Sequence, residues 1–142
     1  MRIQLLLLGK TRRAEIRALV EDYVARIRRH AEAEVRELRP DSAASLKRLD
    51  FGGATVVLLD AAGKKLSSEQ FAGWIRSCRD RGEREIVFLC GAAEGFPEAL
   101  ARRATLRISL SPLTFSHELA RVMLAEQIYR AFALLAGHPY PK

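Results

Sequence analysis

Residues 86–100, IVFLCGAAEGFPEAL, join an apolar run to a glycine loop and then to a Phe96-Pro97 helix start. Strand, glycine loop and helix is the layout with which nucleotide-binding folds cradle phosphate on backbone N–H groups. Here Glu94 stands in the middle of the loop, where a carboxylate would repel phosphate. The loop matches no G-x-G-x-x-G fingerprint. A loop at the carboxyl end of a strand is still where open α/β sheets place ligands. Its glycines allow close backbone approach, and Glu94 suits a cationic or hydrogen-bond-donating ligand. The other reading is a plain turn with a solvated glutamate. Spacing alone leaves both open.

Two more stretches imitate familiar chemistry. Gly9-Lys10-Thr11 looks like the end of a P-loop, but that motif needs a glycine where Gln4 stands. Val56 to Asp60, VVLLD, resembles the acidic strand end of an ATPase or a phospho-receiver. The ATPase reading fails with the P-loop. A receiver needs further acids at the end of the first strand, where Gly9-Lys10 stands; it would require magnesium and a phosphodonor, and stays open beside the reading of Asp60 as a turn residue after a strand. Cys78 and Cys90 have no metal-ligand spacing with His30, His117 or His138, so no metal is expected. Cys90 reads as a buried small hydrophobe.

A sheet must present these loops. Residues 3–8, 55–59, 86–90 and 106–110 read as buried strands, and residues 33–39 as a weaker, more exposed one. Residues 11–30 carry Ile16, Leu19, Val20, Tyr23, Val24 and Ile27 at helical spacing. The opposite face holds Arg12, Arg13, Arg17, Arg26, Arg28 and Arg29. Ser67 caps a helix to about Arg81, with Gln70 completing a capping box, and Gly82 ends it. Pro97 suits the first position of a short helix to about Arg103. Residues 40–49 are polar, with room for a short helix. Ser116 caps a long helix to Leu135, stopped at Gly137. Apolar strands alternating with helices predict one α/β domain over residues 1–142, a parallel-type sheet with helices on both faces.

At 49% hydrophobic and 29% charged, the chain has the composition of an ordinary soluble protein. Its net charge of +7 favours polyanionic partners, nucleic acid first. The run Leu5 to Leu8 is too short for a signal-peptide core, and no segment approaches a membrane span. A reducing, cytoplasmic setting without membrane contact is expected.

The C-terminal half carries longer patterns. FLCGAAEGFP and ISLSPLTFSHELARVMLAEQIYRAFALLAGHPY, with IQLLLLGK at the start and VVLLDAAGK in the middle, resemble the RlmH family of ribosomal RNA large-subunit methyltransferases, within the SPOUT superfamily. The resemblance covers nearly the whole chain. It implies a SPOUT-like fold with a C-terminal trefoil knot, a homodimer, and S-adenosylmethionine (SAM) as cofactor. It implies the assembled ribosome as partner. The substrate would be N3 of a pseudouridine in an inter-subunit bridge hairpin of the large-subunit ribosomal RNA. Carried over residue by residue, Leu59, Gly91 and the segment Leu110, Ser111, Pro112, Leu113, Thr114 and Phe115 match the cofactor pocket. SAM carries a sulfonium and an ammonium rather than a phosphate chain, which suits an acidic glycine loop.

Pseudouridine N3 is an imide N–H and must lose its proton to attack, which asks for a base or an anion-stabilising group. His117, His138 and Tyr140 stand at the matching positions. His117 opens the long helix, whose positive end should favour the neutral imidazole; the bland reading is a capping or packing histidine. His138 and Tyr140 lie in a tail able to close over the base, or in an ordinary C-terminal turn. The arginines of the first helix, Lys64, Lys65, Arg102, Arg103 and Arg107 are candidates for RNA contact. Val122, Met123, Leu124, Ile128, Phe132 and Leu135 make the last helix apolar on more than one side, as a face against a second subunit would be.

The family pattern Gly-Gly-Pro-Glu-Gly stands here as Gly91-Ala92-Ala93-Glu94-Gly95, and the tail ends Pro141-Lys142 in place of a further His-Arg. These departures define a second reading: a catalytically weakened ribosome- or RNA-binding protein of the same fold, distinguished from the enzyme by SAM binding.

Overall fold

A computed structural model describes residues 1–39, 49–91 and 96–140 of the chain. The expected short helix over residues 40–49 falls almost entirely outside them, as do Ala92, Ala93, Glu94, Gly95, Pro141 and Lys142. In chain order the elements are β1 (Arg2–Leu8), α1 (Ala14–Ile27), β2 (Glu32–Leu38), β3 (Thr55–Lys65), α2 (Ser68–Asp80), β4 (Glu85–Cys90), α3 (Glu98–Ala101), β5 (Leu106–Ser109) and α4 (His117–Leu135). The five strands form one sheet in the order β2-β1-β4-β3-β5, and every pairing is parallel.

The apolar runs are buried because the sheet is covered on both faces. On one face Ile3, Leu5, Leu7, Val57, Ile86 and Phe88 pack with Ile16, Val20 and Val24 of α1, Phe71 and Ile75 of α2, and Leu124, Ile128 and Phe132 of α4. On the other, Leu6, Leu8, Val56, Leu58, Val87 and Leu89 pack with Leu100 and Ala101 of α3 and with Leu49 and Phe51. Alternate residues of each strand serve opposite faces, so neither face reads as amphipathic in the sequence.

Local signals set most boundaries. Ser67 and Gln70 form the expected capping box at the start of α2. The Ser116 hydroxyl accepts from Leu119 N at 3.3 Å and opens α4. Gly82 and Gly137 take φ of 79° and 69° after α2 and α4, a conformation glycine adopts without steric cost. Pro97 precedes the first turn of α3 as its cap residue, and that helix closes at Ala101.

One boundary differs from expectation for a non-local reason. The sequence predicts a strand ending at Leu59. Instead β3 runs on to Lys65, with a break in register: Leu59 and Lys64 both register on Ile108. Asp60 Oδ1 accepts from Ala62 N at 2.9 Å, turning the chain outward, and Arg107 holds Asp60 at 3.6 Å. Gly63 lies against β5. A Cβ there would stand 2.7 Å from the Arg107 carbonyl carbon and 2.8 Å from Ile108 N, closer than atoms approach. Among the described residues, no helix is long and apolar enough to cross a membrane.

Candidate active site

Parallel strands bring all their carboxyl ends to one edge. There the break in β3 and the ends of β4 and β5 meet the start of α4 around a cavity of about 500 Å³, lined by Leu59, Asp60, Ala61, Cys90, Gly91, residues 109–111, residues 113–117 and Ala120. The segment between β5 and α4 is shaped by its own serines. Ser109 Oγ donates to Ser111 O at 3.1 Å, and Ser111 Oγ accepts from Leu113 N at 3.0 Å. These turns hold Leu113 and Phe115 outward, 76% and 40% exposed, although both also line the cavity. Among the described residues, no lysine or arginine lines it. Its walls are apolar carbon, hydroxyls and backbone, with Asp60 as a lining carboxylate and His117 as a lining titratable nitrogen base.

The start of α4 is tied to β1 and α1 by buried charge. Arg121 is fully enclosed. It donates to Thr11 Oγ1 at 2.7 Å and to Leu8 O at 2.8 Å, with Glu37 at 4.0 Å. Glu118, the residue after His117, accepts from Arg12 N and Arg13 N at 3.1 Å each. It thereby caps α1, whose own N-cap residue Arg13 offers no side-chain acceptor. Burial alone would raise the Glu118 pKa. The two N–H groups, with His117 and Arg121 nearby, outweigh it and hold the carboxyl below its ordinary value.

Residues 1–141 match the family model described as a predicted SPOUT methyltransferase. The chain belongs to the SPOUT methyltransferase family. Curated relatives named ribosomal RNA large subunit methyltransferase H match over nearly their whole length. Those of Solibacter usitatus and Sorangium cellulosum are 44% and 39% identical, each aligned over 99% of both chains. That of Geobacter sulfurreducens is 37% identical, again over 99% of both. These relatives make the chain a member of the RlmH group of SPOUT methyltransferases. A solved structure, a probable methylase family protein from Haemophilus influenzae Rd KW20, superposes with a TM-score of 0.62 over 99% of this chain and 72% of that one. At 9% identity it speaks for the fold alone.

In this SPOUT member the cavity gathers Leu59, Gly91, Leu110, Ser111, Leu113, Thr114, Phe115 and His117, as the resemblance implies. Pro112, also expected, lies in the same segment but not on the cavity wall. Asp60, Ala61, Cys90, Ser109, Ser116 and Ala120 line it without having been singled out for it. Cys90 and Ser109 end β4 and β5, so the carboxyl-edge rule applied to every strand would have found them. Burial, countered slightly by Arg121, pushes the Cys90 thiol up to about 12, so it is an inert wall. Among the described residues, no group of three or more His, Cys, Asp or Glu side chains is placed to hold a metal ion.

The structure does not bring His138 and Tyr140 to this cavity within one chain. Tyr140 donates to Glu126 at 3.1 Å, meets Tyr129 edge-on at 4.8 Å and carries the Arg130 guanidinium 4.6 Å from its ring. Burial, then the Tyr23 hydrogen bond and the Glu126 charge, raise its pKa, so the phenol stays protonated. Glu126 is nine residues beyond His117 on α4, about 14 Å along the axis. His138 is exposed, and its backbone N–H bonds Ala133 O at 2.9 Å.

Proposed function

We propose that this chain is a SAM-dependent methyltransferase of large-subunit ribosomal RNA, acting on N3 of a pseudouridine in an inter-subunit bridge hairpin of the assembled ribosome. The observation that carries this reading is a cavity with no cationic side chain among its described lining residues, at the carboxyl edge of the sheet, in a SPOUT family member whose curated relatives are named for that RNA.

The walls fit the cofactor. Leu59, Leu110, Leu113 and Phe115 offer apolar surface for an adenine and a methionine chain. Gly91 leaves room for its edge, and the hydroxyls of Ser111 and Thr114 suit a ribose. Asp60 suits a cationic group, and the start of α4 suits a carboxylate. Bound SAM supplies an electrophilic methyl group on a sulfonium. The cavity's contribution is alignment of the attacking nitrogen with that methyl. His117 is the group placed to take the N3 proton as nitrogen attacks.

His138 and Tyr140 reach a reacting base only across a subunit boundary, in a homodimer where each tail serves the partner's cavity. An apolar surface supports that pairing: Leu113 and Phe115 beside Leu119 and Met123 of α4, the last two 48% and 39% exposed and one turn apart. The trefoil knot that the family resemblance implies would lie in the C-terminal part of the chain. A ribosomal substrate places the work in the cytoplasm.

The test is methyl transfer from labelled SAM to ribosomes isolated from cells deleted for their own enzyme of this group, with the product nucleoside identified by mass spectrometry. Label on N3 of a pseudouridine is expected, and His117→Asn should lower kcat by about a hundredfold or more. Label on another atom would overturn the substrate assignment. A folded protein that binds ribosomes but neither binds SAM nor transfers methyl would favour the non-catalytic ribosome-binding reading.

A further inference from the structure

We propose that the loop of residues 9–13, Gly9-Lys10-Thr11-Arg12-Arg13, grips the phosphate backbone of the RNA beside the active-site cavity. The inference rests on the RNA methyltransferase reading. It assigns a surface to a motif that only imitated a P-loop.

The loop follows β1, so it lies at the carboxyl edge that carries the cavity. Its inner side is fixed. Thr11 is buried, its hydroxyl accepts from Arg121, and its N–H donates to Glu37. Glu118 takes the N–H groups of Arg12 and Arg13, and Glu118 directly follows His117 of the cavity wall. What remains outside is three side chains. Lys10, Arg12 and Arg13 are all exposed, and no ion pair or side-chain hydrogen bond joins their side chains to another described residue.

Several other arginines are paired. Arg17 is bound to Glu37 at 2.8 Å, Arg26 to Asp22 at 3.2 Å and Arg2 to Glu34 at 2.6 Å. Arg107 lies against Asp60 and Glu98, and Arg102 against Glu98. The acids nearest the loop do not cancel its charge: Glu37 is engaged by Arg17 and Thr11, and Glu118 is enclosed. Glu15, exposed in the first turn of α1, is the acid left to water. Three uncommitted cations thus fall within four residues, on a scaffold hydrogen-bonded to the helix that His117 opens.

The same bonds decide the kind of anion. A loop that cradles a discrete phosphate does so with free backbone N–H groups. Here those of Thr11, Arg12 and Arg13 point at carboxylates. Recognition falls to long, mobile side chains on an open surface, which suits the spaced phosphates of a nucleic-acid strand. Because Glu118 and Arg121 fix the loop relative to His117, a strand held by these cations is set in register with the cavity.

The experiment measures binding to ribosomes from cells deleted for their own enzyme of this group, over a series of KCl concentrations. Lys10→Gln, Arg12→Gln and Arg13→Gln are combined in one variant. The substitutions leave the backbone bonds to Glu118 in place, so S-adenosylhomocysteine affinity should be unchanged. Affinity for ribosomes should fall, and the slope of log affinity against log salt should flatten by about 2, near 0.7 for each phosphate that is no longer neutralised. Lys10→Gln alone, at a residue outside the Glu118 bonds, should flatten it by about 0.7 and covers misfolding of the triple variant. Arg29→Gln with Arg79→Gln, two exposed arginines at the ends of α1 and α2, should leave the slope nearly unchanged. If the unsubstituted protein binds ribosomes and the triple variant keeps both affinity and slope, the loop is not the grip, while the enzyme reading stands. If the unsubstituted protein neither binds nor methylates ribosomes, both fall together.

Discussion

The two flanks of the sheet are built differently. On the β1–β2 flank, seven consecutive residues pair without interruption, from Arg2 with Glu32 to Leu8 with Leu38. On the β3–β5 flank three residues pair, the chain leaves at Asp60, and it re-pairs at Lys64 with a residue of β5 already in use. The continuous ladder commits its backbone groups to a neighbour. The broken one leaves Leu59, Asp60 and Ala61 beside Gly91 and residues 109–111, where the cavity is. Regular pairing holds this molecule together, and the interrupted pairing shapes the cavity.

Substitutions can break that contrast. The largest stability loss is expected on the regular flank. Leu5→Ala empties a fully buried position of β1 and should cost about 2–5 kcal/mol in denaturant unfolding, while the folded fraction keeps its ligand affinity. Gly63→Ala should cost less, about 1–3 kcal/mol, because the β5 backbone must move aside. Unlike Leu5→Ala, it should also weaken S-adenosylhomocysteine binding, since β5 carries Ser109. A stable Gly63→Ala protein with full affinity would show that the close approach is not what shapes the cavity.

Glu118→Ala removes the shared cap between the flanks. About 1–2 kcal/mol is expected, with a sign that depends on pH. The folded carboxyl sits below the ordinary glutamate value of about 4.3. Its contribution is therefore complete above that value and lost as pH falls through the folded pKa. Glu37, where burial is outweighed by Arg17 and Thr11, behaves likewise. The gap between parent and variant in unfolding free energy should close as the solution is acidified below the ordinary value; a gap independent of pH would assign the loss to packing. The smallest effect belongs to Arg2→Ala. Its ion pair with Glu34 joins two half-exposed side chains, so only a slight loss of stability is expected, shrinking with salt.

Legibility in the sequence follows the same divide. The regular flank and the helix ends rest on local signals: apolar runs, the Ser67–Gln70 box, Ser116, Gly82 and Gly137. The extension of β3 was not legible, because only the backbone of β5, more than forty residues away, makes Asp60–Gly63 a turn rather than an end. Of the cavity, spacing pointed to the glycine loop and no further. The segment 110–115 came through the resemblance, since nothing in its types distinguishes it from an ordinary loop. The arginines of α1 look equivalent on a helical face. Arg26 pairs with Asp22 of its own helix, but the partner of Arg17 is Glu37 of β2, so the division between bound and free cations appears only in three dimensions.

The central claim is that the broken flank forms a cofactor site. Calorimetric titration with S-adenosylhomocysteine, of the parent protein and of Gly91→Val, tests it most directly. Saturable binding by the parent is expected, weakened by about a hundredfold or more when a valine side chain enters the cavity, equivalent to ~2.7 kcal/mol. Equal affinity in both proteins would place the cofactor elsewhere. No heat from the folded parent at millimolar ligand would contradict the claim itself.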